Sequence, residues 1–365
     1  MKPTLLSKVQ GCLAGVAIGD AMGMPWETMT FEQIMERTDG IGVTGFVDPI
    51  QQTIRGTMPL KAGDTTDDWQ LTAAVARSLI RKRQFDIEDI AREQVLEFDR
   101  CTFGWGPTTR RSLKEIKRWF ESGGKEGRNP ATRAQSQGPN LGAGNGVAMK
   151  VAPLGLYASS RMPQREFMAA VAELGFLTHS DPRASHAAFV VAQAIAMVMM
   201  RSVSYSVSQV RMAEFWPLIH VLNEATLVME AKYSNIDGIA DSMQNRLSLI
   251  ENQSSELFRD PSWARTTLGT ECFCLQSVSF AIATFLRHPA DFRTGILEAV
   301  SAGGDTDSTA SMVGAMIGAN VGLEGIPPEW RNFTPGFSEA LKLGEELAGL
   351  IQERSSQWRP IVVIE

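Results

Sequence analysis

Two clusters of acidic and hydroxyl side chains, one early and one late in the chain, are the residues best suited to chemistry. Residues 64–68 read DTTDD and residues 305–308 read DTDS. Carboxylate and hydroxyl oxygens this close together suit Mg²⁺, Mn²⁺ or Ca²⁺. Either cluster could instead cap a helix, with Thr66 or Asp305 accepting from a first-turn N–H. Capping needs a single oxygen, so the clusters predict two half-sites that share a binuclear metal centre.

Other kinds of metal site fit the sequence poorly. An EF-hand loop that began at Asp305 would need glycine and glutamate where Ala310 and Met316 stand. The four histidines and four cysteines show no zinc-ligand spacing. No two cysteines form C-x-x-C, and four in 365 residues make no disulfide framework. We interpret Cys272 and Cys274, which lie in an apolar run, as core thiols.

Composition limits the class of protein. Lys and Arg number 35 and Asp and Glu 41, so the net charge is −6, and 44% of residues are hydrophobic. These values are typical of a soluble globular protein and exclude a disordered or collagen-like chain. No run of Lys or Arg predicts a nucleic-acid or anionic-membrane partner.

The N-terminus does not resemble a signal peptide, and the apolar run 187–200 is short for a membrane span. We therefore expect a cytoplasmic protein.

The elements that must position the acidic clusters are helices. Apolar residues recur with the helical period in eight further segments, and no convincing period-2 run is present. Only residues 360–365 look extended, so the sequence predicts an all-α fold. The predicted helices are 80–97, 110–121, 164–176, 184–203, 207–231, 236–252, 266–286 and 338–353.

Glycines at every fourth position form two ladders beside the acidic residues. Residues four apart share a helix face, so each ladder makes a flat strip that another backbone can approach closely. Glycine weakens a helix, and a row of it needs a packing or functional reason. The ladders therefore predict two tightly packed central helices. One ladder is Gly11, Gly15, Gly19 and Gly23, and the other is Gly314, Gly318 and Gly322.

Residues 121–146 form a polar, aperiodic segment with seven glycines and two prolines. A segment of this kind is either a functional loop or a linker between two domains. A length of 365 residues favours two domains by itself. However, a metal centre shared by residues 64–68 and 305–308 requires both ends of the chain in one site.

Together these motifs resemble the ADP-ribosylglycohydrolase family. The resemblance covers six motifs in order over about 300 residues, and each alone would be a weak signal. The similar motifs are Gly11-x-x-x-Gly15-x-x-x-Gly19-Asp20 through Glu27, Thr66-Asp67-Asp68, Gly104-Trp105-Gly106, Gly144-Asn145-Gly146 through Gly155, Thr178-His179, and Gly303-Gly304-Asp305-Thr306-Asp307-Ser308.

The resemblance implies one compact orthogonal bundle of helices over residues 1–365, a monomer, with two Mg²⁺ or Mn²⁺ ions in a central cleft. It implies hydrolysis of the glycosidic bond of ADP-ribosylated protein side chains (Arg N-linked or Ser O-linked) or of a small ADP-ribosyl conjugate. The implied metal ligands are Thr66, Asp67, Asp68, Asp305, Asp307 and Ser308. The implied catalytic residues are Glu27, Asp67 and Asp305. The implied substrate-binding residues are Gly104, Trp105, Gly106, Gly144, Asn145, Gly146 and His179.

Two residues depart from the family pattern. Trp69 stands where the family usually has threonine, and Ser308 stands where it also usually has threonine. Serine keeps the hydroxyl oxygen, so we expect cation binding to survive. The indole of Trp69 either belongs to the core or narrows the cleft. The second possibility favours a non-catalytic ADP-ribose-binding module. An immunity protein against an ADP-ribosylating toxin is a separate alternative that does not depend on Trp69.

Overall fold

The computed structural model describes residues 2–49, 60–100, 104–134, 142–200, 212–233 and 241–357. Within these ranges the chain forms sixteen α-helices and no strand, which confirms the all-α prediction. The helices are α1 Leu5–Gly23, α2 Phe31–Arg37, α3 Asp67–Lys82, α4 Ile87–Arg100, α5 Pro107–Glu121, α6 Ala152–Ala158, α7 Gln164–Thr178, α8 Pro182–Met200, α9 Met212–Tyr233, α10 Met243–Asn252, α11 Ser254–Arg259, α12 Trp263–Leu268, α13 Cys274–Arg287, α14 Phe292–Ser301, α15 Thr306–Val321 and α16 Pro335–Gln357.

The glycine ladders bring α1 and α15 into direct backbone contact. A Cβ added at Gly15 would lie 2.0 Å from Gly314 O, and one added at Gly318 would lie 2.0 Å from Gly11 O. Only glycine permits this distance, because any side chain would overlap the facing backbone. The pairs run in opposite directions, so the two helices are antiparallel. The prediction of a close helix pair is confirmed.

The antiparallel register sets where the chemistry lies. At one end of the pair, a Cβ added at Gly23 would lie 2.4 Å from Thr306 O, and Thr306 Oγ1 donates to Gly23 O at 2.8 Å. The end of α1 therefore meets the start of α15. Glu27, just beyond α1, is thereby brought beside Asp305, just before α15. Gly322 continues the contact beyond the end of α15: it has φ +73°, and a Cβ added there would lie 2.3 Å from Ser7 Oγ on α1.

Two predicted helices are each divided in the structure. The segment 80–97 contains the end of α3 and most of α4, because Arg83 adopts φ +58° after Lys82. The segment 266–286 is interrupted between α12 and α13, where Gly269 has φ +83°. A left-handed residue ends a helix, but the periodicity on its two sides conceals the break. The predicted extended segment 360–365 lies outside the described residues.

Helix α8 is longer than the apolar run that the sequence shows. With 19 residues it is long and apolar enough to cross a membrane, yet 83% of its apolar window is buried inside the structure. Its neighbours include α6, α7, α9, α13 and α15. Burial among these helices explains the apolar composition of α8.

Candidate active site

A cleft of about 530 Å³ opens where the starts of α3 and α15 meet two glycine loops. Thr66 is the one predicted site residue that does not line it. The predicted residues that line the cleft are Glu27, Asp67, Asp68, Gly104, Trp105, Gly106, Gly144, Asn145, Gly146, His179, Asp305, Asp307 and Ser308.

The first acidic cluster is oriented by Asp20, a carboxylate for which the sequence predicted no role. The backbone N–H of Thr66 donates to Asp20 Oδ2 at 2.9 Å, its hydroxyl donates to Asp20 Oδ1 at 2.8 Å, and the Trp69 N–H donates to Oδ2 at 2.9 Å. Thr66 makes no side-chain cap to α3, so the capping interpretation is wrong here. Burial raises the pKa of Asp20 to about 6, although these hydrogen bonds act in the opposite direction.

The second acidic cluster also leaves its helix uncapped. Asp305 precedes α15 but makes no side-chain cap; instead its Oδ2 accepts from Asn145 Nδ2 at 2.9 Å. Asp307 Oδ1 accepts from the Ser308 N–H at 2.8 Å. One carboxylate oxygen each from Glu27, Asp305 and Asp307 lie within 4.8 Å of one another. Neither Thr66 nor Asp305 caps its helix, and only Asp307 Oδ1 is used by a first-turn N–H, so both clusters keep oxygen atoms for the cleft that they line.

The electrostatics of the cluster fit divalent cations. Burial and neighbouring carboxylates raise the pKa values of Asp67, Asp68 and Asp307 well above the usual range for aspartate. Asp68 Oδ1 is buried and has no hydrogen-bond partner, while Asp68 Oδ2 accepts from Ser308 Oγ at 3.3 Å. An unpaired buried carboxylate oxygen is costly unless a cation or proton occupies it. The residues present therefore suit Mg²⁺ or Mn²⁺, which prefer oxygen ligands.

The two glycine loops both line the cleft. Gly104 has φ +78°, and a Cβ there would lie 2.9 Å from Thr66 Cβ, so its loop presses against the first acidic cluster. A Cβ at Gly106 would meet nothing within 4 Å. In the loop 142–146, a Cβ at Gly146 would lie 3.0 Å from His179 Cε1. Glycine at position 146 therefore allows the loop to approach His179 closely.

Hydrogen bonds to the start of α13 hold the loop 142–146 in place. The Asn145 N–H donates to Cys272 O at 3.0 Å, and the Cys274 N–H donates to Ala143 O at 2.9 Å. The backbone N–H of Asn145 is therefore occupied. Cys272 is exposed and lines the cleft, whereas Cys274 is buried. The core interpretation is thus wrong for Cys272 and confirmed for Cys274.

The two tryptophans beside the predicted motifs are core residues. The Trp69 indole Nε1 donates to Glu339 Oε2 on α16 at 3.2 Å, and its ring lies against Gly336. Trp69 therefore does not narrow the cleft, which answers the question that the sequence left open. Trp105 borders the cleft but is 2% exposed, and its Nε1 donates to Gln70 Oε1 at 2.8 Å.

Comparison with known proteins agrees with this geometry. The family model of ADP-ribosylglycohydrolases matches residues 1–357. The ADP-ribosylhydrolase ARH3 of Mus musculus is 27% identical to this chain, over 96% of this chain and 93% of its own length. The ADP-ribosyl-[dinitrogen reductase] glycohydrolase of Rhodospirillum rubrum is 25% identical, over 90% of each chain.

A solved structure of an ADP-ribosylglycohydrolase-related protein complex shares the fold. Its TM-score is 0.61 at 22% identity, covering 95% of this chain and 98% of that one. The matches define the class of this protein as a glycoside-cleaving enzyme with an all-α fold. Within that class, the chain belongs to the ADP-ribosylglycohydrolase family.

Proposed function

We propose that this protein hydrolyses the glycosidic bond that joins ADP-ribose to an arginine or serine side chain, or to a small conjugate, and releases ADP-ribose. The main support is that one carboxylate oxygen each from Glu27, Asp305 and Asp307 lie within 4.8 Å of one another. These residues line the same cleft as the loop 142–146. A cleft of about 530 Å³ is large enough for a ligand of nucleotide size. The names of the relatives from Mus musculus and Rhodospirillum rubrum support the same activity.

Two Mg²⁺ or Mn²⁺ ions are the proposed cofactors. When bound, such ions supply positive charge that orients ribose hydroxyls and lowers the pKa of a nucleophilic water. Asp68 Oδ1, buried and without a partner, is the clearest candidate ligand atom. Thr66 Oγ1 gives its hydrogen to Asp20 and keeps a lone pair for a cation. The residues proposed to hold the ions are Thr66, Asp67, Asp68, Asp305, Asp307 and Ser308.

Glu27 is the proposed proton-transfer residue. Its carboxylate is partly exposed in the cleft, beside Asp305 and Asp307, where it can take a proton from water or give one to the leaving group. Cleavage at the ribose carbon passes through an oxocarbenium-like state, which nearby carboxylates stabilise. Asn145 Nδ2, in the loop 142–146, donates to Asp305 and holds its carboxylate in place. His179 and the two glycine loops are proposed to bind the remainder of ADP-ribose.

The test is a turnover panel with matched variants. Arginine-linked, serine-linked and nucleic-acid-linked ADP-ribose are each incubated with Mg²⁺, Mn²⁺ or EDTA. We expect release from a side-chain substrate that EDTA abolishes, and a loss of about 10²-fold or more in Glu27→Gln, Asp67→Asn and Asp305→Asn. Glu88→Gln and Asp99→Asn are the controls, since both carboxylates are exposed on α4.

Two outcomes would contradict the proposal. Undiminished turnover in both Asp67→Asn and Asp305→Asn would show that the acidic cleft is not the active site. Calorimetry that shows ADP-ribose binding by a wild-type protein without turnover on any substrate would indicate a non-catalytic binding module. Circular dichroism on every variant establishes that helicity is retained.

A further inference from the structure

Lys150 is a completely buried lysine beneath the cleft that the proposed mechanism does not use. It lies at 0% exposure at the end of a 3₁₀ turn, Ala148–Lys150, which directly follows the loop 142–146. Lysine is almost never fully buried without a partner. The partner is Thr178, the last residue of α7, because Lys150 Nζ donates to Thr178 Oγ1 at 3.2 Å.

The hydroxyl of Thr178 also forms a hydrogen bond with His179. Thr178 Oγ1 lies 2.8 Å from His179 Nδ1, and the threonine is itself completely buried. An ammonium group can only donate, whereas a hydroxyl both accepts and donates. In the part of the chain that the structure describes, Thr178 Oγ1 bonds to these two groups alone. While Lys150 is charged, the hydroxyl hydrogen therefore goes to His179 Nδ1, because the ammonium group offers no acceptor and no other bonded group is present.

This arrangement determines which ring nitrogen of His179 carries hydrogen. Burial and the charge of Lys150 lower the pKa of His179 to about 3, so the ring is neutral and carries one hydrogen. With Nδ1 as acceptor, that hydrogen is on Nε2. Nε2 faces the loop 142–146, because a Cβ would lie 3.3 Å from it at Gly146 and 3.6 Å from it at Gly144. The N–H is thus directed at the loop 142–146, which lines the cleft together with His179.

We propose that Lys150 is a positioning residue that, through Thr178, fixes His179 as the Nε2–H tautomer, so that the cleft offers a neutral hydrogen-bond donor to an anionic oxygen of ADP-ribose. The identification of ADP-ribose as the ligand rests on the proposed function, whereas the assignment of the tautomer does not. Burial lowers the pKa of Lys150 to about 7, while nearby Asp67 favours its charged form, so a role limited to balancing that carboxylate is the competing explanation. The two differ in what happens to His179 when Lys150 is replaced.

The test compares substitutions that break the hydrogen bonds from Lys150 through Thr178 to His179 with substitutions that keep them. Lys150→Met removes the ammonium group and Thr178→Val removes the hydroxyl, and both keep a side chain of similar volume. Lys150→Arg keeps a charged donor, and Thr178→Ser keeps the hydroxyl. Ring ¹⁵N spectra of the full-length, metal-free protein report the tautomer, and His179→Gln identifies the signals among the four histidines. Calorimetry in EDTA measures the affinity for ADP-ribose.

We expect the wild type, Lys150→Arg and Thr178→Ser to show the Nε2–H tautomer and affinities within about twofold of each other. Lys150→Met and Thr178→Val should populate the Nδ1–H tautomer and bind ADP-ribose roughly tenfold more weakly, the effect of one hydrogen bond. An unchanged tautomer in both Lys150→Met and Thr178→Val, or an Nδ1–H wild type, overturns the inference. A wild type with the Nε2–H tautomer that fails to bind ADP-ribose both in EDTA and in the presence of Mg²⁺ would overturn the proposed function instead.

Discussion

The backbone N–H of Thr28 donates to Gly304 O at 2.8 Å, and this bond joins the segment that carries Glu27 to the segment that carries Asp305. A second bond, from the Gly304 N–H to Met29 O at 2.8 Å, closes the pairing. Thr28 adopts φ +69°, a region that a β-branched residue rarely occupies. The cost of this conformation is offset by the pairing, and the result is that Glu27 stays beside Asp305 and Asp307.

Replacement of Thr28 by asparagine should stabilise the protein. Asparagine tolerates the left-handed region better than threonine, and Thr28 is exposed, so the change relieves strain without a packing loss. We expect the free energy of unfolding to rise by about 1 kcal/mol, with kcat within about twofold of wild type. Urea unfolding and the turnover assay measure the two quantities.

Thr30→Asn is the matched control for the strain argument. Thr30 has an ordinary φ of −74° and caps α2, and asparagine is an equally good cap. Its stability should change by less than about 0.5 kcal/mol. Equal effects at positions 28 and 30 would contradict the view that Thr28 is strained.

A methyl group between the central helices should be far more damaging than one on the surface. The added Cβ of Gly15→Ala would lie 2.0 Å from Gly314 O and 2.5 Å from Gly314 C, so α1 and α15 must separate. We expect a loss of about 3 kcal/mol or more in the free energy of unfolding. Thermal and urea unfolding measure this loss.

Gly349→Ala provides the contrast within the same chain. Gly349 lies in α16, and an added Cβ would meet nothing within 4 Å. Alanine favours a helix over glycine, so this variant should gain about 0.5–1 kcal/mol. A Gly15→Ala protein as stable as wild type would show that the two helices are not in backbone contact.

Stability without metal should fall as the pH rises. Burial raises the pKa of Asp20 to about 6, and burial together with neighbouring carboxylates raises those of Asp67, Asp68 and Asp307 well above the ordinary range. The folded state thus holds protons that the unfolded chain has released above about pH 4. These groups therefore reduce the free energy of unfolding as the pH rises from about 4 through their raised folded-state pKa values, of which that of Asp20 is about 6.

Divalent cations should reverse this trend, because they replace the protons on the carboxylates. We expect the increase in Tm caused by Mn²⁺ over EDTA to be small at pH 5 and larger at pH 8. Asp307→Asn, which removes one of the carboxylates, should flatten the pH dependence in EDTA and reduce the gain from Mn²⁺. A gain from Mn²⁺ that is equal at both pH values would contradict the assignment of these carboxylates as ligands.

The indole of Trp69 should matter for stability and not for turnover. Trp69→Phe removes the hydrogen bond to Glu339, which retains Arg77 as a partner at 2.7 Å. We expect a loss of about 1 kcal/mol in the free energy of unfolding and a kcat/KM within about twofold of wild type. Glu339→Gln, on the other side of this contact, should likewise leave kcat/KM unchanged. A large change in KM for Trp69→Phe would mean that the side chain reaches the cleft after all.

Much of this protein follows from local patterns in its sequence. Spacings of three and four residues indicate helices, and glycine at every fourth position indicates close helix contact, because both are properties of a single helix face. The residue types of the clusters at 64–68 and 305–308 likewise indicate oxygen ligands for a cation before the fold is known. The antiparallel packing of α1 against α15, together with the hydrogen bonds from Thr66 and Trp69 to Asp20 on α1, then explains why the two clusters meet.

Other features were decided by the tertiary structure alone. Whether Thr66 caps a helix or bonds to Asp20 depends on the approach of α1 to α3, and nothing near residue 66 specifies it. The direction of the Trp69 side chain and the exposure of Cys272 depend on α16 and on the loop 142–146. The link from Lys150 to His179 joins two distant segments through one hydroxyl. A sequence pattern reports which side chains share one element, whereas hydrogen bonds between elements form only once those elements have packed.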